Sequence, residues 1–232
     1  LHRADRWFAE LAEYGEVSEV RSCNVDASRC DVLLQLGRWD EAEAAAHRAL
    51  ALTGDLTVDP LDQSNANSVL ARLAARRGDD RAAQLAERAH DVVRGAMQLP
   101  LEWGAVRPRA EIAWIAGDLA PLVPELRSLL DRSRAVRDPW ISGDVARWLH
   151  LAGEAIAGDV PMARPYRLEV IDDWLGAARE WDRIEDPYEA AVARLQKRLR
   201  STGRKPGCWP ACGTVPAGRS RIRRRRRQAR VP

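Results

Sequence analysis

Cys208 and Cys212 lie four apart around Trp209 and Pro210, and five consecutive arginines run from Arg223 to Arg227. A zinc site built on cysteine usually pairs two of them across two residues and takes two more ligands nearby. Here the spacing is wider and no histidine follows Cys212. Cys23 and Cys30 fall in a helical stretch or its approach and read as small apolar residues. The histidines His2, His47, His90 and His150 are scattered one per segment, without metal spacing. No serine or cysteine has a base and an orienting acid at a recognisable spacing. No glycine-rich phosphate loop ending in Gly-Lys-Ser or Gly-Lys-Thr is present. These absences point to a non-enzyme with no cofactor and no metal. The arginine run offers a different chemistry: nonspecific, salt-sensitive contact with nucleic acid through phosphate charge.

Charge is divided along the chain. Residues 197–232 hold 13 basic residues and no acid, whereas residues 1–196 hold 24 basic and 34 acidic residues. An acidic body thus carries a basic tail. Only Lys197 and Lys205 are lysines among 37 basic residues, which reflects a GC-rich coding sequence more than selection for arginine at any one site. Apolar residues make up 46% of the 232, enough for a buried core. No apolar run approaches the roughly 18 residues of a membrane span, and no secretory leader opens the chain. The expected setting is cytoplasmic, with no membrane partner. The start at Leu1 fits a fragment of a larger protein.

The elements that position these residues are punctuated by Gly37, Gly78, Gly117 and Gly153. Each glycine closes one helix-like segment, and near-regular spacing of this kind marks helix pairs stacked as repeats. Helices are expected over 1–14, then to Leu36, and over 39–52, 60–77, 99–116, 119–136 and 187–200. Asp79 and Asp80 suit the start of a helix to about Arg94, and Asp138 with Pro139 opens another. Residues 162–183 read as a single helix. Alanines 42, 45, 46 and 49 form a narrow stripe that permits close helix approach. Trp140 with Trp148, and Trp174 with Trp181, can share helix faces; packing is the favoured reading over a binding groove. Beyond Gly153 the period loosens, and no stretch alternates with period two, so sheet is not expected. Ser201 to Pro232 is rich in Gly, Pro and Arg and reads as disordered.

The Gly37–Leu50 segment resembles the second half of a tetratricopeptide repeat. Ala42, Ala46 and Ala49 occupy the family's small positions, and Trp39 stands where tyrosine is common. Leu122, Leu126 and Leu129 keep the same frame after Gly117. Ala82, Ala86 and Ala89 keep it after Gly78 with one residue deleted. A longer resemblance covers roughly Ala4 to Leu199. It is similar to the helical region of large ATP-dependent LuxR-type transcriptional regulators. It is carried by Gly37-Arg38-Trp39-Asp40-Glu41-Ala42, Arg109 to Asp118, Asp138-Pro139-Trp140, Trp174 to Trp181, and Asp186-Pro187-Tyr188-Glu189-Ala190-Ala191. The flanking ATPase and helix-turn-helix of that family have no counterpart in these residues.

The resemblance implies an all-α, tetratricopeptide-like α-solenoid of antiparallel helix pairs over 1–200, with a disordered basic tail over 201–232. It also implies a concave face lined by Asn65, Ser68, Arg72 and Arg76, then Arg107, Glu111 and Trp114, then Arg147 and His150. There a peptide carboxylate, an acidic helix or a small inducer would bind. The expected function is a non-catalytic interaction and signal-transmission module of a LuxR-type regulator. The alternative is a free-standing tetratricopeptide-type adaptor. An ordinary solvated arginine face is the plainer reading of those same positions.

Overall fold

The computed structural model describes residues 1–17, 23–51, 60–95 and 98–202. Among the described residues there is no strand, and every long element is an α-helix. The expected tail, with Cys208, Cys212 and Arg223 to Arg227, lies outside the described residues.

Helices α1 (His2–Val17), α2 (Cys23–Gln35) and α3 (Trp39–Ala51) open the chain. The turn between α2 and α3 shows how each pair is made. Gly37 adopts φ 73°, donates to the Leu34 carbonyl at 3.1 Å, and lets Arg38 donate to Leu33 at 2.9 Å. These two bonds satisfy carbonyls that the ending helix leaves open, and the left-handed residue they require favours glycine. Helices α4 (Pro60–Arg77), α5 (Ala82–Val92), α6 (Leu99–Ala116), α7 (Val123–Val136) and α8 (Pro139–Leu151) follow. Asp138 caps α8 by accepting from the Trp140 and Ile141 amides at 2.8 and 3.0 Å. Neighbours in sequence are neighbours in space: α2 packs on α3, both pack on α4, α4 on α5 and α6, and α7 on α8.

Past Gly153 no second helix forms. Residues 154–163 instead run back along α8, with Val160 buried and the Ala163 amide donating to the Pro139 carbonyl at 2.8 Å. Three further helices complete the described chain: α9 (Arg164–Val170), α10 (Trp174–Arg183) and α11 (Pro187–Ser201).

Several boundaries differ from the sequence reading. Helix α1 continues through Gly15, because one glycine costs a helix only about 1 kcal/mol. The 162–183 stretch is two helices. Asp172 takes φ 64° and Asp173 caps α10 by accepting from the Gly176 amide at 2.9 Å. The paired aspartates were the visible signal, since Asp competes for backbone groups outside helices. Pro121 and Pro124 divide the expected 119–136 helix into a 3₁₀ turn at Ala120–Leu122 followed by α7. Helix α5 starts only at Ala82, with Asp79 holding the preceding turn by accepting from the Arg81 amide at 2.9 Å.

The core has three parts. Ala27, Ala42, Ala45, Ala46, Ala49 and Ala66 form a small-residue seam with Leu33, Leu34 and Leu73. Leu126, Leu129, Leu149, Trp114 and Trp148 fill the middle. Tyr166, Trp174 and Trp181 anchor the last three helices. Each fully buried leucine contributes about 1.5–3 kcal/mol. Trp103, Trp114, Trp148, Trp174 and Trp181 are buried, as packing predicts, while Trp7 is largely exposed and Trp140, expected to pack beside Trp148, is half-exposed.

Candidate functional site

Arg72 and Arg76 sit one turn apart on α4, and Arg107 and Glu111 one turn apart on α6, so each pair shares a helix face. Arg147 projects from α8. The fold brings these five together and buries them. Glu111 accepts from Arg72 Nε at 2.8 Å and from Arg76 Nε at 2.6 Å. Arg147 donates to Asp144 at 2.7 Å and to Glu189 at 2.5 Å. Arg107 Nε lies 3.0 Å from Asp144. The remaining expected positions go elsewhere. Trp114 packs edge-on against Trp148 at 6.2 Å in the core. Asn65 is half-buried beside Gly104, one end away from the charges. Ser68 is buried on α4, and His150 lies 3.1 Å from Asp172 and near Trp174.

The inner face is closed by the chain itself. The start of α11 inserts Pro187, Tyr188 and Glu189 among the arginines. Tyr188 lies under the Arg76 guanidinium, 3.5 Å from its carbon to the ring centroid, and meets Trp39 edge-on at 6.2 Å. A Cβ on Gly37 would come within 3.0 Å of Pro187 Cγ, so that glycine also admits the closing segment. Glu189 on the chain's own α11 engages Arg147 and approaches Arg72, two of the arginines expected to take a partner's carboxylate. Sequence reading missed Glu189, Tyr188, Asp144, Glu169 and Asp31. Glu189 follows a helix-capping Asp186 by three residues, which points it toward its own backbone rather than to Arg147 on another helix.

Charge in the cluster is uneven. Arg72, Arg76, Arg107 and Arg147 meet Asp31, Glu111, Asp144, Glu169, Asp186 and Glu189. Burial opposes ionisation of Glu111, Glu169, Asp186 and Glu189, and proximity to arginine decides which prevail. For Glu111, Arg76 and Arg72 outweigh burial and hold it well below the usual carboxylate range. For Glu189, Arg147, Arg107 and Arg76 likewise outweigh burial and lower it. Glu169 goes the other way: burial pushes it up to about 8, only partly opposed by Arg147. Its Oε1 accepts from Trp181 Nε1 at 2.7 Å. Burial and the neighbouring Glu189 push Asp186 up to about 7. Glu169 and Asp186 are thus the two pushed toward holding a proton near neutrality.

An open pocket of about 650 Å³ lies against this cluster. Its walls include Trp103 and Arg107 from α6, Trp140 and Asp144 from α8, and Tyr166 from α9. Gly143 allows that wall to form, because a Cβ there would stand 2.7 Å from the Tyr166 ring. The size and mixed lining suit a small molecule. Among the described residues no cluster of His, Cys, Asp and Glu could hold a metal ion. Cys30 is fully buried, and desolvation raises its thiol far above the usual range, which keeps it protonated and unreactive. No described helix is long and apolar enough to cross a membrane. No family model, curated protein or solved structure matches the chain.

Proposed function

We propose that this chain is a non-catalytic, tetratricopeptide-like helical module that takes a ligand on its inner face and passes the event to flanking domains, as in LuxR-type transcriptional regulators. One observation carries the reading: α4, α6, α8 and the closing α11 meet around a single ion cluster, and an open pocket adjoins it. A ligand there touches residues that also set how the first and last helices pack. A coupling free energy of about 1–3 kcal/mol is enough to transmit binding as a change in packing. In this reading the stacked pairs form a solenoid that closes on itself. Arginine holds anions without exchanging protons near neutrality, which fits a binding role for Arg72, Arg76, Arg107 and Arg147.

The test is to read the coding region outward from this chain. A phosphate-loop ATPase before it and a helix-turn-helix after it are the expected result. Neither on either side would overturn the regulator reading. The second reading, a free-standing adaptor, has its own observation: Trp7 and Leu11 stand exposed one turn apart on α1, as a protein-docking face would. Loss of partner binding in Trp7→Ala, with the inner face intact, would favour it.

A further inference from the structure

Within the ion cluster, one arginine makes no hydrogen bond of sound geometry and one acid has no ion pair among the described residues, and both line the pocket. Arg107 has five N–H donors. It approaches Asp144 at 3.0 Å and Asp31 at 4.0 Å, yet among the described residues it makes no hydrogen bond of sound geometry. By contrast, Arg72, Arg76 and Arg147 each hold at least one carboxylate by a well-formed bond. Asp186 is 3% exposed and accepts from the Glu189 amide at 3.0 Å. Alone among the cluster's acids, it has no ion pair among the described residues. Arg107 and Asp186 do not pair with each other, although both face the same cavity.

We infer that the pocket binds a small zwitterion with an apolar side chain, an amino acid or a short peptide, whose carboxylate lies on Arg107 and whose ammonium lies on Asp186. This rests on the pocket being the ligand site proposed above. A lone anion would leave Asp186 unpaired, and a lone cation would face the Arg107 guanidinium. A molecule bearing both charges satisfies both walls, and buried charges are stable only when paired. The rest of the lining fits the remainder of such a ligand. Trp103, Trp140, Tyr166 and Trp181 present aromatic surface to its side chain and cation–π contact to its ammonium. Charge-assisted bonds to guanidinium and carboxylate supply the discrimination.

Asp186 adds a signature. Arg72 and Arg76 face it from α4, Arg107 from α6, Asp144 from α8, Arg183 and Glu185 from the preceding turn, and Glu189 from α11. An ammonium ligand favours its ionised form. Binding therefore releases a proton and tightens as pH rises through about 7.

The experiment is calorimetric titration of the full chain with leucine, leucinamide, N-acetylleucine, N-acetylleucinamide and the dipeptide Leu-Leu. Leucine or Leu-Leu is expected to bind at least about tenfold more tightly than the three derivatives, each of which lacks one or both charges. Which of the two is tighter tells amino acid from peptide. Asp186→Asn should erase the preference over N-acetylleucine, and Arg107→Gln the preference over leucinamide. Thermal melts check that each variant folds. Trp140→Ala, at a half-exposed wall outside the ion pairs, serves as an independent variant and should weaken binding several-fold whatever the charges. Equal binding of N-acetylleucinamide and leucine would overturn the zwitterion while leaving the pocket as a ligand site. No binding by any of the five also overturns it. If no compound of another class then binds in a Trp140-dependent way, the pocket reading falls with it.

Discussion

Helices α2 to α5 and helices α6 to α11 are held together by different means. The first group packs through alanine. Ala42, Ala45, Ala46 and Ala49 are at most 1% exposed, and backbones meet with little side chain between them. Apart from Arg72 with Asp31, ion pairs there lie outside, as between Arg48 and Asp26 at 2.7 Å. The second group packs through leucine and tryptophan, and its charges are inside, joined to Arg72 and Arg76 of α4. Alanines interlock and leave little room. Large aromatic rings beside buried charges cannot fill space as evenly, and the pocket opens among them. The pocket thus sits where packing gives way to charge.

The comparison breaks most visibly if the inner charges are treated as the outer ones would be. Glu111→Ala leaves Arg72 and Arg76 buried without their shared carboxylate. A loss of about 3–5 kcal/mol in urea unfolding is expected, whereas Arg48→Ala should cost under about 1 kcal/mol. Equal costs would show that the cluster is no more than a solvated face.

Acidity tests the same cluster. Glu169 and Asp186 bind protons more tightly folded than unfolded, so their contribution is full below about pH 4 and is lost as pH rises to about 8. Glu111 and Glu189 have lowered values, so their contribution is present above about pH 4.5 and lost as pH falls below it. The melting temperature should peak at roughly pH 5 and fall by several degrees toward pH 8. Glu169→Gln should flatten that alkaline slope. An unchanged slope would mean that Glu169 carries no retained proton.

The alanine seam is tested by overfilling it. Ala46→Leu, at a position with no exposed surface, should destabilise by about 1–3 kcal/mol. A neutral outcome would mean the seam is looser than its burial indicates.

The smallest effect is a gain. Glu185 occupies, at φ 66°, the place that glycine takes at the end of other helices. Its amide donates to Asp182, and the Asp186 amide to Trp181, at 3.1 and 3.0 Å. Glu185→Gly relieves the strain of a side chain there but frees the unfolded chain, for a net stabilisation of about 0.5 kcal/mol by chemical denaturation. The exposed contact to His2 at 3.7 Å is a minor loss.

Much of the helical order was legible in sequence, because its signals are local. Glycine after a helical stripe, Asp-Pro before Trp140, and alanine every third or fourth residue act within one or two turns. Helices α4 and α6 match their expected spans, and the missing partner helix after Gly153 was visible as a broken period. The split at Asp172 escaped because apolar periodicity continues across it and masks the helix-breaking signal of the paired aspartates.

What the sequence determined by itself was a series of helices, their glycine-marked breaks, and the one-turn spacing of Arg72 with Arg76 and of Arg107 with Glu111. Each follows from hydrogen bonds and side-chain spacing within a single helix, whereas the inward placing of these residues and of Arg147 was implied only by the resemblance to tetratricopeptide repeats. Only the tertiary structure decided that these charges are buried, that Tyr188 and Glu189 from the far end of the chain close over them, and that Arg107 and Asp186 are left facing one cavity. Those outcomes depend on contacts across about 40 residues or more, where no local period constrains the partner. Which carboxylate keeps its proton then depends on burial and on the distance to arginine.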